Sequence, residues 1–329
     1  MFCANPFTDL QINTSGDVLC CCEEWLPFPL GNLLTDRLED IWNGRAAKQI
    51  RRSVCDGNFE FCVCCQHLPG PRNTVTEAPD PTIQIAPDLS VHRIRTLMLN
   101  YDRSCNLACP SCRRRSFKSD INEVQRIHQA MLASGVLKRS DNIYVTASGD
   151  PFSSPTFYQF LMSLPVLAPH LPRVILHTNG LLLDRSHWEN LGNTRELVDT
   201  IIISVDASTE RTYRINRGGN WRELWKNIEF ASQLRREGKI RKLAMRYVIQ
   251  DNNVDELIPF CQLVTQYQTD DISAYHLRNW GTFTEVEYRQ RAVHLPDHPR
   301  HQNYVAVMTS PYLTTNRCVI LPCSGRLDE

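Results

Sequence analysis

Cys105-Asn106-Leu107-Ala108-Cys109-Pro110-Ser111-Cys112 follows directly on the apolar, strand-like run Thr96-Leu97-Met98-Leu99. The C-x3-C-x2-C spacing lets three thiolates ligate three irons of one 4Fe-4S cubane and leaves the fourth iron without a protein ligand. Iron-sulfur clusters are ordinarily held by four cysteines, so a local triplet with no close fourth leaves a coordination position for a small molecule. A C-x2-C pair also suits zinc, and free cysteines pack readily in apolar cores. The residues on either side of the triplet bear on the choice.

From about residue 93 to 275 short β-branched runs alternate with helical ones. Strands are predicted at 95–99, 143–147, 173–177, 200–205, 243–249 and 272–275, and helices at 121–134, 155–164, 186–191, 221–236 and 254–267. Asp120 with Glu123 caps the first helix and Gly135 stops it; Gly238 ends the helix at 221–236. Strand–helix units in series predict an α/β fold with a parallel sheet, and in such folds the chemistry sits at the C-terminal strand ends. Ala147-Ser148-Gly149-Asp150-Pro151 follows the second predicted strand, and His177-Thr178-Asn179-Gly180 closes the third. Ser204-Val205-Asp206-Ala207 closes the fourth, with Arg217-Gly218-Gly219 shortly after it. Each is by itself a turn signal; their order at successive strand ends is informative.

Together with the triplet, this order resembles the radical S-adenosylmethionine (SAM) superfamily, which implies a partial (β/α)6 TIM-like barrel. In that family the amino and carboxylate groups of SAM chelate the open iron. The resemblance implies Cys105, Cys109 and Cys112 as cluster ligands. Ser148, Gly149 and Asp150 stand where the family has Gly-Gly-Glu-Pro, whose backbone and acid accept hydrogen bonds from the SAM amino group. Asp150 is a methylene shorter than that glutamate, so contact through backbone carbonyls is expected. His177-Thr178-Asn179-Gly180 matches a sequence seen often in SPASM-type members and nominates Asn179. Ser204 and Asp206 correspond to a ribose-contacting stretch, with Ala207 in place of glycine. Arg217 is expected to pair with the SAM carboxylate, because a guanidinium offers two parallel donors; Arg214 is its competitor. Arg246 and Ile249 are expected near the adenine, core packing being the alternative for Ile249.

The 14 cysteines are unevenly spread: eight lie within the first 65 residues (Cys3, Cys20, Cys21, Cys22, Cys55, Cys62, Cys64, Cys65), three form the triplet, and Cys261, Cys318 and Cys323 come late. Two metal centres are implied. Pro69, Pro71, Pro79, Pro81 and Pro87 mark an extended linker. The expected organisation is therefore a cysteine-rich module at 1–68, a linker at 69–92, a core at 93–275 and an extension at 276–329. In the module, twelve residues, Gly16 and four more separate Cys3 from Cys21, and Cys62-Val63-Cys64-Cys65 supplies a C-x2-C pair. A hairpin is predicted around Ser15-Gly16-Asp17, and a single helix over 36–51 capped by Asp36 with Glu39. With Gly31-Asn32-Leu33 and Glu39-Asp40-Ile41-Trp42, residues 1–68 resemble the SPASM and twitch modules of radical SAM enzymes. The resemblance implies one auxiliary 4Fe-4S cluster on Cys3, Cys21, Cys62 and Cys65, since the next fifteen residues hold no cysteine for a second. Cys20, Cys22 and Cys64 are each one residue away from these. A four-thiolate zinc site is the competing reading. The module usually follows the barrel; here it comes first.

Basic and acidic residues balance at 36 each, so charge makes no case for nucleic acid or an anionic membrane. Neither a signal peptide nor a membrane span is legible, and a cytoplasmic protein with reduced thiols is expected. The family resemblance implies reductive cleavage of SAM to a 5′-deoxyadenosyl radical that takes hydrogen from an unactivated C–H bond. Full cysteine ligation of the auxiliary cluster suits it as electron acceptor, giving an oxidation or a cross-link. Implied substrates are a ribosomal peptide or protein side chain, with dehydrogenation of a carbohydrate or aminocyclitol alcohol as the alternative. A non-catalytic zinc or structural-cluster protein is the competing class. Implied partners are an electron donor such as flavodoxin or ferredoxin and a separate leader-peptide-binding protein. Residues 276–329 carry Trp280, Phe283, Tyr288, Tyr304, Tyr312 and the histidines His276, His294, His298 and His301; they read as a cover for the barrel mouth or as a disordered tail. Cys318 and Cys323 are left open as further ligands.

Overall fold

A computed structural model describes residues 2–23, 25–62, 65, 75–76, 80–316 and 319–320. Its strands are β1 (Phe2–Cys3), β2 (Asp9–Ile12), β3 (Asp17–Leu19), β4 (Gly31–Asn32), β5 (Val75–Thr76), β6 (Ile94–Leu99), β7 (Ser140–Val145), β8 (Arg173–Thr178), β9 (Val198–Ser204), β10 (Lys242–Ile249), β11 (Asp271–His276) and β12 (Val319–Ile320). β1 pairs with β5, and the other ten form one sheet in the order β12-β11-β10-β9-β8-β7-β6-β2-β3-β4. From β6 to β11 every neighbour is parallel and sequential, as the alternation of runs predicts. Such strands are covered on both faces; accordingly Leu97, Leu99, Ile143, Val145, Val174, Leu176, Ile201 and Ile203 are wholly buried.

The crossover helices start and stop largely where local chemistry directs. Asp120 accepts from the Asn122 amide to open Ile121–Ala133, and Gly135 takes the left-handed φ of +75° that ends it. Asn220 caps Trp221–Arg236 through the Glu223 amide. The helix predicted to end at Leu164 runs through Pro165 to Leu167. Proline removes the donor that would satisfy the Leu161 carbonyl, and the Thr194 hydroxyl supplies one instead at 2.5 Å. The helix predicted over 36–51 is two, Leu38–Trp42 and Arg45–Cys55. Asp36 caps neither: its carboxylate accepts from the Asn32 amide at 2.8 Å. The break falls at Asn43-Gly44, where the Asn43 side chain accepts from the Val91 amide at 2.8 Å and donates to the Val91 carbonyl at 3.1 Å.

The N-terminal module is built onto the barrel's own sheet. β2 lies parallel to β6, pairing Asp9 with Thr96, Leu10 with Leu97, Gln11 with Met98 and Ile12 with Leu99. β3 then returns antiparallel, closing the predicted hairpin through Gly16 at φ +84°. Residues between the module and β6 are described at 75–76 and from Asp80 on. Arg51 ties this region together: buried over the Trp42 ring at 4.5 Å, it donates to Pro6 O (2.8 Å), Asn43 Oδ1 (3.0 Å) and Leu89 O (3.0 Å). After β11 the chain forms the helices Glu285–Arg291, His301–Met308 and Pro311–Thr315. Cys318 and Cys323 lie outside the described residues. Among the described residues no helix is long and apolar enough to cross a membrane.

Truncating Arg51 takes the donor from the Pro6 and Leu89 carbonyls, while Asn43 Oδ1 keeps the Val91 amide. Arg51→Ala is expected to destabilise the chain by about 3 kcal/mol, read as a lowered urea midpoint with an unchanged slope.

Candidate cluster and SAM site

Leaving β6, the chain passes buried Asp102, whose carboxylate accepts from the Ser104 amide at 2.8 Å and the Ser154 hydroxyl at 2.5 Å. The triplet loop then closes on itself: the amides of Cys112 and Arg113 both donate to Cys109 O at 2.9 Å. All three thiols line one cavity of about 520 Å³ at the C-terminal strand ends, together with Ser148, Gly149, Asn179, Ser204, Asp206 and Arg217. Of the residues nominated around SAM, Asp150 and Ile249 are outside its wall; Ile249 is wholly buried in the core, the packing role weighed for it.

Asp150 is buried and engaged elsewhere. One carboxylate oxygen accepts from the Phe152 (3.1 Å) and Ser153 (3.2 Å) amides, the other from Thr178 Oγ1 (2.7 Å) and the Asn179 amide (2.9 Å). Burial pushes this carboxyl above the ordinary aspartate range, against the pull of those donors. Its side chain ties the end of β7 to that of β8, while Ser148 and Gly149 face the cavity. A Cβ on Gly149 would stand 2.6 Å from Asp102 O and 2.8 Å from Ser104 O, so this loop rests directly on the triplet loop.

Asn179 donates to Cys105 Sγ at 3.5 Å and to Asn106 Oδ1 at 2.8 Å. Asp206 holds a left-handed φ of +61°; its carbonyl accepts from Asn216 (3.1 Å) and Asn253 (3.0 Å), and its carboxylate from the Val248 amide (2.7 Å) and Arg217 Nη1 (3.1 Å). Arg217, rather than exposed Arg214, reaches the cavity. Burial disfavours its charge, but Cys109 and Asp206 outweigh that and leave its pKa raised. Its Nε is buried without a hydrogen-bond partner. Below it His177 sits between Tyr144 OH (2.7 Å) and Ser204 Oγ (2.9 Å); burial, with Arg246 and Arg217 adding repulsion, lowers it to about 3, so the ring is neutral. Arg246 is paired with Asp271 at 2.6 Å.

Burial pushes the Cys109 thiol up to about 11, partly offset by Arg217, and Cys105 is raised for the same first reason. Thiols in such surroundings stay protonated until a soft cation takes the proton's place. Arg113 adds an independent sign: it is 9 % exposed, and its hydrogen bonds go to two carbonyls and Cys112 Sγ, not to a carboxylate. A buried cation needs a nearby anion, which a metal-bound thiolate supplies. The donor set therefore fits an iron-sulfur cluster. Among the described residues no group of three or more His, Cys, Asp or Glu converges on a single metal ion; thiolates sharing a cluster stand farther apart than those sharing one ion.

In the module, Cys3, Cys21, Cys62 and Cys65 line one small apolar cavity with Pro6, Trp25, Leu26 and Ile50. Burial pushes Cys3 up to about 12 and Cys62 to about 11. Asn5 Nδ2 donates to Cys21 Sγ at 3.8 Å. Cys20 is buried away from this cavity, and Cys22 faces the barrel mouth beside Trp25, Arg278 and Trp280; Cys64 is outside the described residues. A further cavity of about 620 Å³ lies between the two, walled by Cys20, Cys21 and Cys22 on one side and Cys112, Ala147 and Ser148 on the other.

A family model for the radical SAM superfamily matches residues 99–264. The chain belongs to that superfamily. A second model, for the SPASM iron-sulfur cluster-binding domain, matches residues 3–66. This radical SAM chain accordingly takes a 4Fe-4S cluster and SAM as cofactors, with auxiliary iron-sulfur ligation in the N-terminal domain. Among solved structures it is similar to Streptococcus suis SuiB bound to SAM (16 % identity, TM-score 0.45, 70 % of this chain and 50 % of that one). It is also similar to SuiB bound to its precursor peptide SuiA (13 %, TM-score 0.47, 95 % and 70 %) and to anSMEcpe with bound AdoMet (18 %, TM-score 0.42, 57 % and 50 %). The chain thus spans about half the length of SuiB in the SAM-bound structure. A search of curated proteins gave no significant match.

Reading the sequence missed Arg113, Tyr144, Arg278 and Trp25, while Trp280, read as part of a cover for the barrel mouth, does line the cavity. Arg113 was hidden in Arg113-Arg114-Arg115, which reads as surface charge; its place next to Cys112 was the available signal. Gly149→Ala is expected to weaken SAM binding at least about tenfold, the order set by displacing a hydrogen-bonded loop, while far-ultraviolet circular dichroism stays unchanged.

Proposed function

We propose that this radical SAM enzyme oxidises or cross-links a peptide or protein side chain, with an auxiliary cluster as electron acceptor. The observation that carries the reading is the arrangement of cavities: one holds the triplet and the strand-end motifs, another holds Cys3, Cys21, Cys62 and Cys65, and a third touches both cysteine groups. In this reading Cys105, Cys109 and Cys112 hold the SAM-binding cluster, and Cys3, Cys21, Cys62 and Cys65 the auxiliary one. When bound, the first cluster and SAM supply an electron and the radical that takes a hydrogen atom from substrate.

The chain's own residues orient and shelter. Arg217, fixed by Asp206, is suited to a carboxylate through its unpartnered Nε. The carbonyls of Ser148 and Gly149 suit an ammonium group. Ser204, with His177 kept neutral behind it, offers a hydroxyl towards a ribose without adding charge. Trp25 and Trp280 stand where the barrel cavity meets the third one. The third cavity is walled by Asn5, Gln11, Asn13 and Asn100. Side-chain amides donate and accept as a peptide bond does, which suits an amide-bearing substrate.

After anaerobic reconstitution the wild type is expected to hold about eight irons and the Cys105/Cys109/Cys112→Ala variant about four, counted as 4Fe-4S clusters. With dithionite and SAM, only the wild type should release 5′-deoxyadenosine. No iron in the wild type would overturn the reading; zinc on the N-terminal cysteines would remove the electron acceptor.

A further inference from the structure

Arg113 occupies an unusual position among the triplet's neighbours. Nη1 donates to Arg103 O at 2.6 Å and Nη2 to Ser148 O at 2.7 Å, while Nε and Nη2 reach Cys112 Sγ at 3.4 and 3.3 Å. Neither of the other two thiols has a guanidinium hydrogen-bonded to its sulfur: Arg217 acts on Cys109 through its charge, and Cys105 has the Leu107 amide. Cys105 accepts from the neutral amide of Asn179 at 3.5 Å, and Cys109 faces the carbonyl of Arg217 at 3.7 Å. One guanidinium therefore grips a sulfur, its own loop, and the Ser148 loop that lines the same cavity.

We propose that Arg113 sets the reduction potential of the cluster on the triplet and couples it to SAM binding through Ser148. This rests on Cys112 being a ligand, as proposed above. Reduction adds negative charge to the cluster. A fixed cation hydrogen-bonded to a ligand sulfur stabilises the reduced form more than the oxidised one and so raises the potential. Charge-assisted hydrogen bonds are the stronger kind, and burial leaves this charge little screened by water. Nη2 is shared between Cys112 Sγ and Ser148 O, so a ligand that moves the Ser148 carbonyl changes the bond to the sulfur. Arg113 is a positioning residue and touches no reacting atom.

The test uses anaerobically reconstituted wild type, R113Q, R113K and C112A, titrated with and without SAM. The EPR signal that changes on adding SAM separates this cluster from the auxiliary one. R113Q is expected to keep its iron, to shift its midpoint to more negative potential, and to need about tenfold more SAM for the spectral change, the order of one lost charge-assisted bond. R113K keeps the charge but not the fork, so its midpoint should stay near the wild type while its SAM requirement rises. A wild-type midpoint in iron-loaded R113Q overturns the proposal, as does a wild-type SAM requirement in R113K, which decides alone if R113Q does not hold iron. A SAM-responsive signal surviving in C112A would overturn the ligand assignment beneath it, and so be told apart from a failure of Arg113 alone.

Discussion

The parallel pairing of β2 with β6 is the constraint on which the functional architecture depends. Ile12 sits opposite Leu99, and the Asn100 amide donates to Ile12 O at 2.9 Å, so β2 of the module and β6, which leads into the triplet, end side by side. Because strand register is locked by which residues face the core, and Leu10 and Ile12 are wholly buried beside Leu97 and Leu99, a one-residue slip of β2 would turn Leu10 and Ile12 outward. Asp9 and Gln11 of β2 and Met98 of β6 line one cavity with Cys20, Cys21, Cys22 and Cys112, so both cysteine groups border the same face of this strand pair. A module placed before the barrel in sequence reaches the barrel mouth by extending the sheet's edge beside the first barrel strand.

Around the mouth, burial and charge work against each other in a graded way. Desolvation holds Cys3, Cys62 and Cys109 protonated in the absence of metal, and the same burial leaves Arg113 in need of an anion. Arg217 and Arg246 each have a carboxylate, Asp206 and Asp271; Arg113 has a sulfur. A cluster held on Cys112 as thiolate would give Arg113 its anion, which links metal binding to local stability.

Much of this was legible. The parallel core, the triplet and the ordered strand-end motifs follow from periodicity and spacing, because consecutive strand–helix units leave little freedom in topology. What was not legible came from contacts distant in sequence. The helix over 36–51 breaks because Asn43 is bonded to Val91, a partner no local pattern names. The acid of the Ser148-Gly149-Asp150 motif is engaged with Thr178 and Asn179 rather than the cavity, which residue type alone cannot tell. Residues after β11 show no strand period because they form short helices, one opened by a Thr284–Glu287 capping box, while Leu277, Arg278 and Trp280 complete the cavity wall.

The claim that the module and barrel share one sheet and hold their clusters facing a common chamber is tested most directly by pulsed dipolar EPR on the fully reduced, reconstituted protein. A single narrow distribution of cluster-to-cluster distance, unchanged by SAM, is the expected result. A broad distribution, or no dipolar coupling between two loaded clusters, would contradict it.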